Sequence, residues 1–376
     1  VVPRGMLTTL ALGVLACSTV HVPSESGTVI ARTMELGGYS GQDRALPWTV
    51  AVHPRGESMG RFMSVSCGGL GVSWTNAFGY VSVDTTAVVP LAGDGMNEVG
   101  LTASTQTLRQ SEYMQPSAAG ETNATDVCFA AFNTWILGNI GSVRELRARI
   151  ASGLRIIGQA PSGEYIHWSI DDALGEHVVL EVLDGEIRLH NNTVGIMTND
   201  PDFRWHLRNL NNFANLSPSW PAGGKGIQVQ TEIGALPGSI GHGFNLLGLP
   251  GDYSPPGRFV RLFYLRQYAV LQAPPKTMND SIALATGLLA NVFINQGTVA
   301  RSDADGPEGF EFTQYSLLKL PEARQLYYKD YWNTRWRLVR LDEIDFSPTA
   351  PAWKERLADG TVGVEDVTAR FARARV

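Results

Sequence analysis

The sequence predicts an α+β fold in which two mainly antiparallel sheets are stacked between two helical layers. Three observations lead there. Segments of strand character open and close the chain, and helical segments interrupt them twice. Asp184-Gly185 sits between two alternating runs, the signature of a hairpin. Hydrophobic residues make up 44% of the 376 and charged residues 18%, enough for a sizeable core, and 40 glycines with 20 prolines suit a chain of many turns. No internal repeat or linker divides the chain after residue 17. The expected organisation is a leader over 1–16, one domain over 17–347 and a peripheral tail over 348–376.

Taken in order, Thr28–Arg32 and Trp48–His53 are β-rich runs bounded by Gly and Pro. Phe78–Asp84 alternates large and small residues. Asp94-Gly95 reads as the start of a turn, and Gly100–Gln106 as the next strand. Asp126 is placed to cap a helix carrying Phe129, Phe132 and Ile136 on one face, ended by Gly138 and Asn139. Ser142 and Glu145 form a capping box for a second helix with Leu146 and Ile150. Strands return at Tyr165–Ile170, His177–Val182 and Glu186–His190. A helix is expected from Asp200-Pro201, with Phe203, Leu207 and Leu210 facing a core. Residues 217–257 are rich in Gly and Pro and read as a long excursion. An ordered element follows from Arg258, a helix over 279–294, and strands over Glu311–Leu318 and Arg324–Lys329. The last 25 or so residues, charged and Ala-rich, suggest a peripheral helix.

Bulk properties exclude several functions. The net charge is −6 and no basic cluster exists, which argues against nucleic acid as a partner. No apolar run reaches the roughly 20 residues that span a bilayer. Three cysteines, Cys17, Cys67 and Cys128, allow one bridge at most, and no CxxC or His-rich spacing suggests a metal. Arg4, the apolar residues 7–15 and the small Ala16 form a signal-peptide pattern. It predicts an exported protein, periplasmic or secreted; without it the chain would be cytoplasmic.

Cys17 is the residue that this leader makes chemically interesting. Cleavage after Ala16 would leave a thiol and a free α-amine on one residue, a complete nucleophile and base. The amine titrates near ~7.7–8.0 and the thiol near ~8.5. Two other readings stand beside this one. Cys17 can be a small buried hydrophobe. Val14-Leu-Ala-Cys17 also loosely fits a lipidation site, which would make the chain an inactive binding or surface protein on the same fold.

Several further segments accompany Cys17: Arg32-Thr-Met-Glu35, Asp94–Leu101, His167-Trp168, Gly195–Asn199-Asp-Pro, Trp205–Phe213, Gly248–Asp252, Arg258–Arg261 and Glu311–Tyr315. Together, in this order, they resemble the choloylglycine hydrolase family: bile salt hydrolases, penicillin V acylases and related acyl-homoserine lactone acylases. The resemblance spans roughly residues 17–346. It implies a four-layer αββα N-terminal-nucleophile hydrolase, commonly a homotetramer, that cleaves a small linear amide and needs no metal or organic cofactor.

It also implies roles. Cys17 matches the nucleophile and Arg32 the cation beside its sulfur. Glu35 stands where the family normally carries Asp, one C–C bond shorter. Asn199 matches the oxyanion-hole side chain, and the Thr107 backbone N–H falls at the second oxyanion donor. Arg258 matches the Arg that holds the charge network, with Arg261 as a neighbour that could equally be a surface residue. Asn97, Glu98, His167, Trp205 and Asp252 are expected to serve packing, turns and caps.

Overall fold

The computed structural model describes residues 17–37, 45–59, 67, 70–85, 91–116, 124–158, 165–219, 230–235, 243–303 and 306–367. The expected leader over 1–16 lies outside them, as does much of the Gly/Pro-rich stretch, at 220–229 and 236–242. In chain order the main strands are β1 (Ser18–Ser24), β2 (Gly27–Gly37), β3 (Thr49–His53), β4 (Tyr80–Thr85), β5 (Leu91–Asn97), β6 (Thr102–Thr107), β7 (Ile166–Asp171), β8 (His177–Leu183), β9 (Glu186–Asn191), β10 (Ile196–Met197), β11 (Val299–Asp303), β12 (Gly306–Leu320), β13 (Gln325–Asp330), β14 (Arg337–Arg340) and β15 (Trp353–Arg356). The helices are α1 (Phe129–Asn139), α2 (Val143–Ala151), α3 (Phe203–Asn209), α4 (Pro255–Gln272) and α5 (Met278–Ala290).

The strands form two large antiparallel sheets, as expected. The first runs β10-β1-β2-β12-β13-β14, with β11 also paired to β12. The second is a meander, β9-β8-β7-β6-β5-β4-β3, closed by β15. Period-two alternation gives each sheet two buried faces. On β2, Val29 and Ala31 pack with Phe259, Leu262, Ala285 and Leu288 of α4 and α5. Met34 and Leu36, of opposite parity, pack with Val81, Val83 and Met96 of the second sheet. On the outer side of that second sheet, Ala103, Trp168 and Leu180 meet Phe132, Ile136 and Leu137 of α1. The layers are therefore helix, sheet, sheet, helix. Among the described residues, no helix is long and apolar enough to cross a membrane.

A bulge in β12 fixes the register beside the site. Thr313 opposes Glu35 and Tyr315 opposes Met34, so Gln314 is the extra residue. Its buried amide donates to the Leu36 carbonyl at 3.0 Å and accepts from Leu46 N at 2.9 Å and Trp48 Nε1 at 2.7 Å. Cys67 and Cys128 form the one bridge that three cysteines allow, leaving Cys17 free.

Four local expectations are corrected. Asp126 does not cap α1. It lies in a short parallel ladder, 126–128 against 155–157, and its carboxylate meets Arg155 at 2.9 Å. Ten of the eleven α1 residues are buried, so packing sets where that helix starts. The third helix begins at Phe203 rather than Pro201, because Asp202 is the residue whose side chain caps Trp205 N, at 3.2 Å. Asp94-Gly95 is mid-strand in β5, not a turn. The expected C-terminal helix is absent from the described residues, which end at 367: 353–356 form β15, which covers the open edge of β3, and 368–376 lie outside them.

Gly95 is where α1 meets the second sheet. A Cβ there would stand 2.5 Å from Leu137 Cδ1 and 2.7 Å from the Val81 carbonyl oxygen. Gly95→Ala is expected to lower the unfolding free energy by about 1–3 kcal/mol in urea titration. Gly287, exposed within α5, has no neighbour within 4 Å of its added Cβ. Gly287→Ala is expected to shift stability the other way, by about 0.4–1 kcal/mol.

Candidate active site

Strand pairing assembles the site. Thr19 opposes Met197 on one side of β1 and Arg32 on the other. Extending that register by two residues sets Cys17 beside Asn199 and Met34. Cys17 is fully buried, with Sγ 3.5 Å from Met34 Sδ and 3.5 Å from an Arg32 terminal nitrogen.

Arg32 is held from every side. One terminal nitrogen donates to Tyr315 OH at 3.1 Å, and the other donates to the Thr105 carbonyl as well as to Cys17. Its Nε stands 3.3 Å from Asp94 Oδ2. Lys319 takes the other Asp94 oxygen and donates to Ser104 Oγ at 2.5 Å. Arg32, Asp94 and Lys319 are all completely buried. Two cations against one carboxylate leave a net positive charge next to the sulfur.

Arg258 plays the matching role on the other side. It sits in the first turns of α4, whose N-cap is Ser254 with two prolines behind it. Nη1 donates to the Cys17 carbonyl and to Ser18 Oγ, each at 2.6 Å, and Nε to the Tyr253 carbonyl at 2.9 Å. Nη2 donates to Asn199 Oδ1 at 2.7 Å. Because the amide oxygen of Asn199 is taken by a cation, its Nδ2 must face the other way. It donates to the Thr107 carbonyl at 3.1 Å.

Thr107 opposes Ile166, but the neighbouring bond runs from Leu108 N to the Tyr165 carbonyl. Thr107 and Ile166 are therefore a non-bonded pair of the ladder, and the backbone polar groups of Thr107 turn away from β7. Two histidines hold the backbone before and at Asn199. His167 Nε2 bonds the Thr198 carbonyl at 3.0 Å, and its Nδ1 faces Glu181 at 3.3 Å. His206 Nε2 bonds the Asn199 carbonyl at 2.9 Å and its ring stacks on Phe259. Burial pushes His206 down to about 4, so it is neutral and Nε2 carries the donated proton.

Glu35 points to the helix side of β2, the side of Arg258. Thr33 Oγ1 donates to its carboxylate at 3.0 Å and Thr313 Oγ1 at 2.6 Å. Among the described residues, no hydrogen bond joins that carboxylate to Cys17. The longer side chain is accommodated by reaching across to β12. Burial raises Glu35 to about 7, against the pull of Arg258, Thr313 and Thr33.

The structure thus brings Cys17, Arg32, Asn199, Thr107 and Arg258 into one hydrogen-bonded set. Glu35 lies beside it, with its backbone bonded at the Cys17 thiol and its carboxylate bonded to Thr33 and Thr313. Arg261 is neither at the sulfur nor on the surface. It is buried and donates to the carbonyls of Asn291 at 2.9 Å, Pro250 at 2.7 Å and Asp252 at 3.0 Å. Asn97 donates to the Leu137 and Ile140 carbonyls and accepts from Leu101 N, and Glu98 accepts from Gly79 N, as a packing role requires.

Sequence reasoning missed Asp94, Tyr315, Lys319 and His206. Lys319 had a signal: a lone charge inside the apolar run Leu317-Leu-Lys-Leu320. The set can present a sulfur to a cation and aim amide donors beside it. In the full chain the Cys17 nitrogen is part of a peptide bond. Burial pushes the thiol up to about 11, with Arg32 pulling it down and Glu35 pushing it further up.

Glu35 has a pH consequence. Its ordinary value is 4.5 and its folded value about 7, so the folded state holds a proton that the unfolded state releases. That contribution to stability is complete below pH ~4.5 and is lost as pH rises through ~7. Urea titrations from pH 4 to 8 should therefore show the natural chain losing about 3 kcal/mol relative to Glu35→Gln. Parallel curves would show that Glu35 is ionised throughout.

Residues 17–354 match the choloylglycine hydrolase family of linear amide C–N hydrolases. The bile salt hydrolase/transferase of Clostridium perfringens is 28% identical over 261 residues, covering 68% of this chain and 74% of that protein. The penicillin V acylase of Pectobacterium atrosepticum is 26% identical over 153 residues, 38% of this chain and 40% of that protein. Among solved structures, a mutant of the conjugated bile acid hydrolase of C. perfringens superimposes with a TM-score of 0.76 at 20% identity, over 93% of this chain and 99% of that one. Penicillin V acylase of Agrobacterium tumefaciens gives 0.66 at 21% identity, over 90% of each chain. With the four layers and the match over nearly the whole described length, the chain belongs to the choloylglycine hydrolase family of linear amide C–N hydrolases.

Proposed function

We propose that this chain is a cysteine amidase whose nucleophile is Cys17, freed by removal of residues 1–16. The observation that carries the reading is the convergence on Cys17: the Arg32 guanidinium at its sulfur, and Arg258 joining its carbonyl to the Asn199 amide. In the uncleaved chain the thiol is held protonated, which fits a latent precursor. Hydrolysis of the Ala16–Cys17 bond supplies a free α-amine. That amine takes the thiol proton, and the field of Arg32 favours the thiolate.

The thiolate then attacks the carbonyl carbon of a linear amide. Asn199 Nδ2–H and the Thr107 N–H stabilise the oxyanion. The protonated amine of Cys17 hands its proton to the leaving nitrogen as the C–N bond breaks, giving a free amine and an acyl-thioester. Water, losing a proton to the same α-amine, adds to the thioester. The carboxylic acid departs and the thiol is restored. Arg258 and His206 are positioning residues for Asn199.

The relatives support a substrate of the conjugated bile salt or penicillin V type, and the sequence resemblance adds acyl-homoserine lactones. The leader pattern and the Cys67–Cys128 bridge both support an exported protein, since such bridges persist in oxidising compartments. The family resemblance also supports a homotetramer.

The test is a hydrolysis screen of processed protein against glycocholate, taurocholate, penicillin V and long-chain acyl-homoserine lactones, with the mature N-terminus read by mass spectrometry. The expected N-terminus is an unmodified Cys17. Cys17→Ala should abolish turnover with circular dichroism unchanged, and Asn199→Ala should lower kcat by about 10²–10³-fold. An active Cys17→Ala protein would overturn the reading. So would a diacylglyceryl group on Cys17, which marks the alternative of a lipidated surface protein.

A further inference from the structure

A second cluster lies on β1 four residues beyond Cys17, roughly 13 Å along the strand. Strand β1 carries His21, which faces the second sheet. There Asp171 of β7 and His177 of β8 are directly opposed in the ladder. His21 Nε2 stands 3.2 Å from Asp171 Oδ1, and His177 Nδ1 stands 3.0 Å from the same oxygen. The three ligand-type atoms all lie within 4.8 Å of one another.

We propose that His21, Asp171 and His177 form a binding site for a divalent transition-metal ion of the zinc class, joining β1 to the second sheet. Four features argue for it. The first is an unmet need. His21 is 2% exposed, yet among the described residues neither of its ring nitrogens makes a hydrogen bond, although Nε2 stands 3.2 Å from Asp171 Oδ1. A buried polar group of this kind is costly unless something completes it. His53 is the contrast: both its nitrogens are bonded, to Glu57 at 2.9 Å and Asp84 at 3.3 Å.

The second is the donor set. Two imidazoles and one carboxylate suit zinc and its neighbours better than calcium or magnesium, which favour oxygen alone. Ligand atoms around a tetrahedral zinc stand about 3.3 Å apart, and both separations from Asp171 Oδ1 are near that.

The third is support for the carboxylate. Asp171 Oδ2 accepts from Thr102 Oγ1 at 3.2 Å and Ser169 Oγ at 3.3 Å, which turns Oδ1 toward the histidines. The fourth is charge and access. Lys319 and Arg266 put positive charge near His21, but Lys319 is paired with Asp94 and Arg266 donates to the His21 carbonyl at 2.5 Å. Asp172 and Glu322 add negative charge near His177, beyond that of Asp171. The His177 side chain is 19% exposed, which gives an ion a way in.

The site does not depend on the amidase reading, and each can fail without the other. The experiment uses the full chain carrying Cys17→Ala, which removes the one free thiol as a competing ligand. After stripping with a chelator, Co2+ is titrated by visible absorption and Zn2+ by calorimetry. The expected result is one ion per chain, a four-coordinate Co2+ spectrum without a thiolate charge-transfer band, and a Tm raised by Zn2+. His177→Ala, at a partly exposed position and with circular dichroism checked, should weaken binding at least tenfold. His21→Ala should do the same, and His53→Ala should leave binding unchanged. Absence of stoichiometric binding, or equal binding by His177→Ala, overturns the proposal.

Discussion

The Asp94 carboxylate is the pivot between the two sheets. It sits on β5 of one sheet and is gripped by Arg32 of β2 and Lys319 of β12 from the other, all out of solvent. Removing one partner from a buried set like this typically costs about 3–5 kcal/mol, whereas replacing the whole set with apolar residues is often neutral. Stability alone is thus a weak reason for charges here. Geometry is a better one: Asp94, Tyr315 and the Thr105 carbonyl leave Arg32 one orientation, and that orientation sets it against the Cys17 sulfur.

Around that pivot, directional bonds make the site rigid. Arg258 spans the Cys17 carbonyl, Ser18 and Asn199, so a helix of the outer layer orders both strands β1 and β10. A guanidinium cannot lose its charge and offers donors in a fixed fork. It therefore dictates which way the Asn199 amide points without any help from substrate. The neutral His206, stacked on Phe259, does for the Asn199 backbone what Arg258 does for its side chain. The Gln314 bulge has the same character, since one extra residue lets Thr313 reach Glu35 while Tyr315 reaches Arg32.

Glu35 shows how a long acidic side chain can be accommodated. A buried carboxylate beside a tightly packed polar site needs partners of its own. The carboxylate finds two threonine hydroxyls, one on its own strand and one across the ladder. The cost appears as a proton affinity raised by burial rather than as displaced neighbours.

Much of this was legible in the sequence. Alternating runs and Asp184-Gly185 gave the hairpin of β8 and β9, and the ordered segments from Cys17 to Tyr315 pointed to the family and to Cys17, Arg32, Asn199 and Arg258 as candidate site residues. These are local patterns or ordered motifs, and a linear reading can hold them. The misreadings share a cause. Asp126, Asp94-Gly95 and the C-terminal helix were judged on local propensity, and tertiary pairing overrode it. The partners of Arg32 come from positions 94, 105 and 315, and the His21 cluster draws on 171 and 177 with no metal-like spacing. By itself the sequence determined the layers and the family and named the candidate site residues, because periodicity and motif order are carried along the chain. Only the tertiary structure decided which charges meet Arg32, where Glu35 points and which way the Asn199 amide faces. Those depend on strand register and on the stacking of two sheets, which join residues that the sequence keeps far apart.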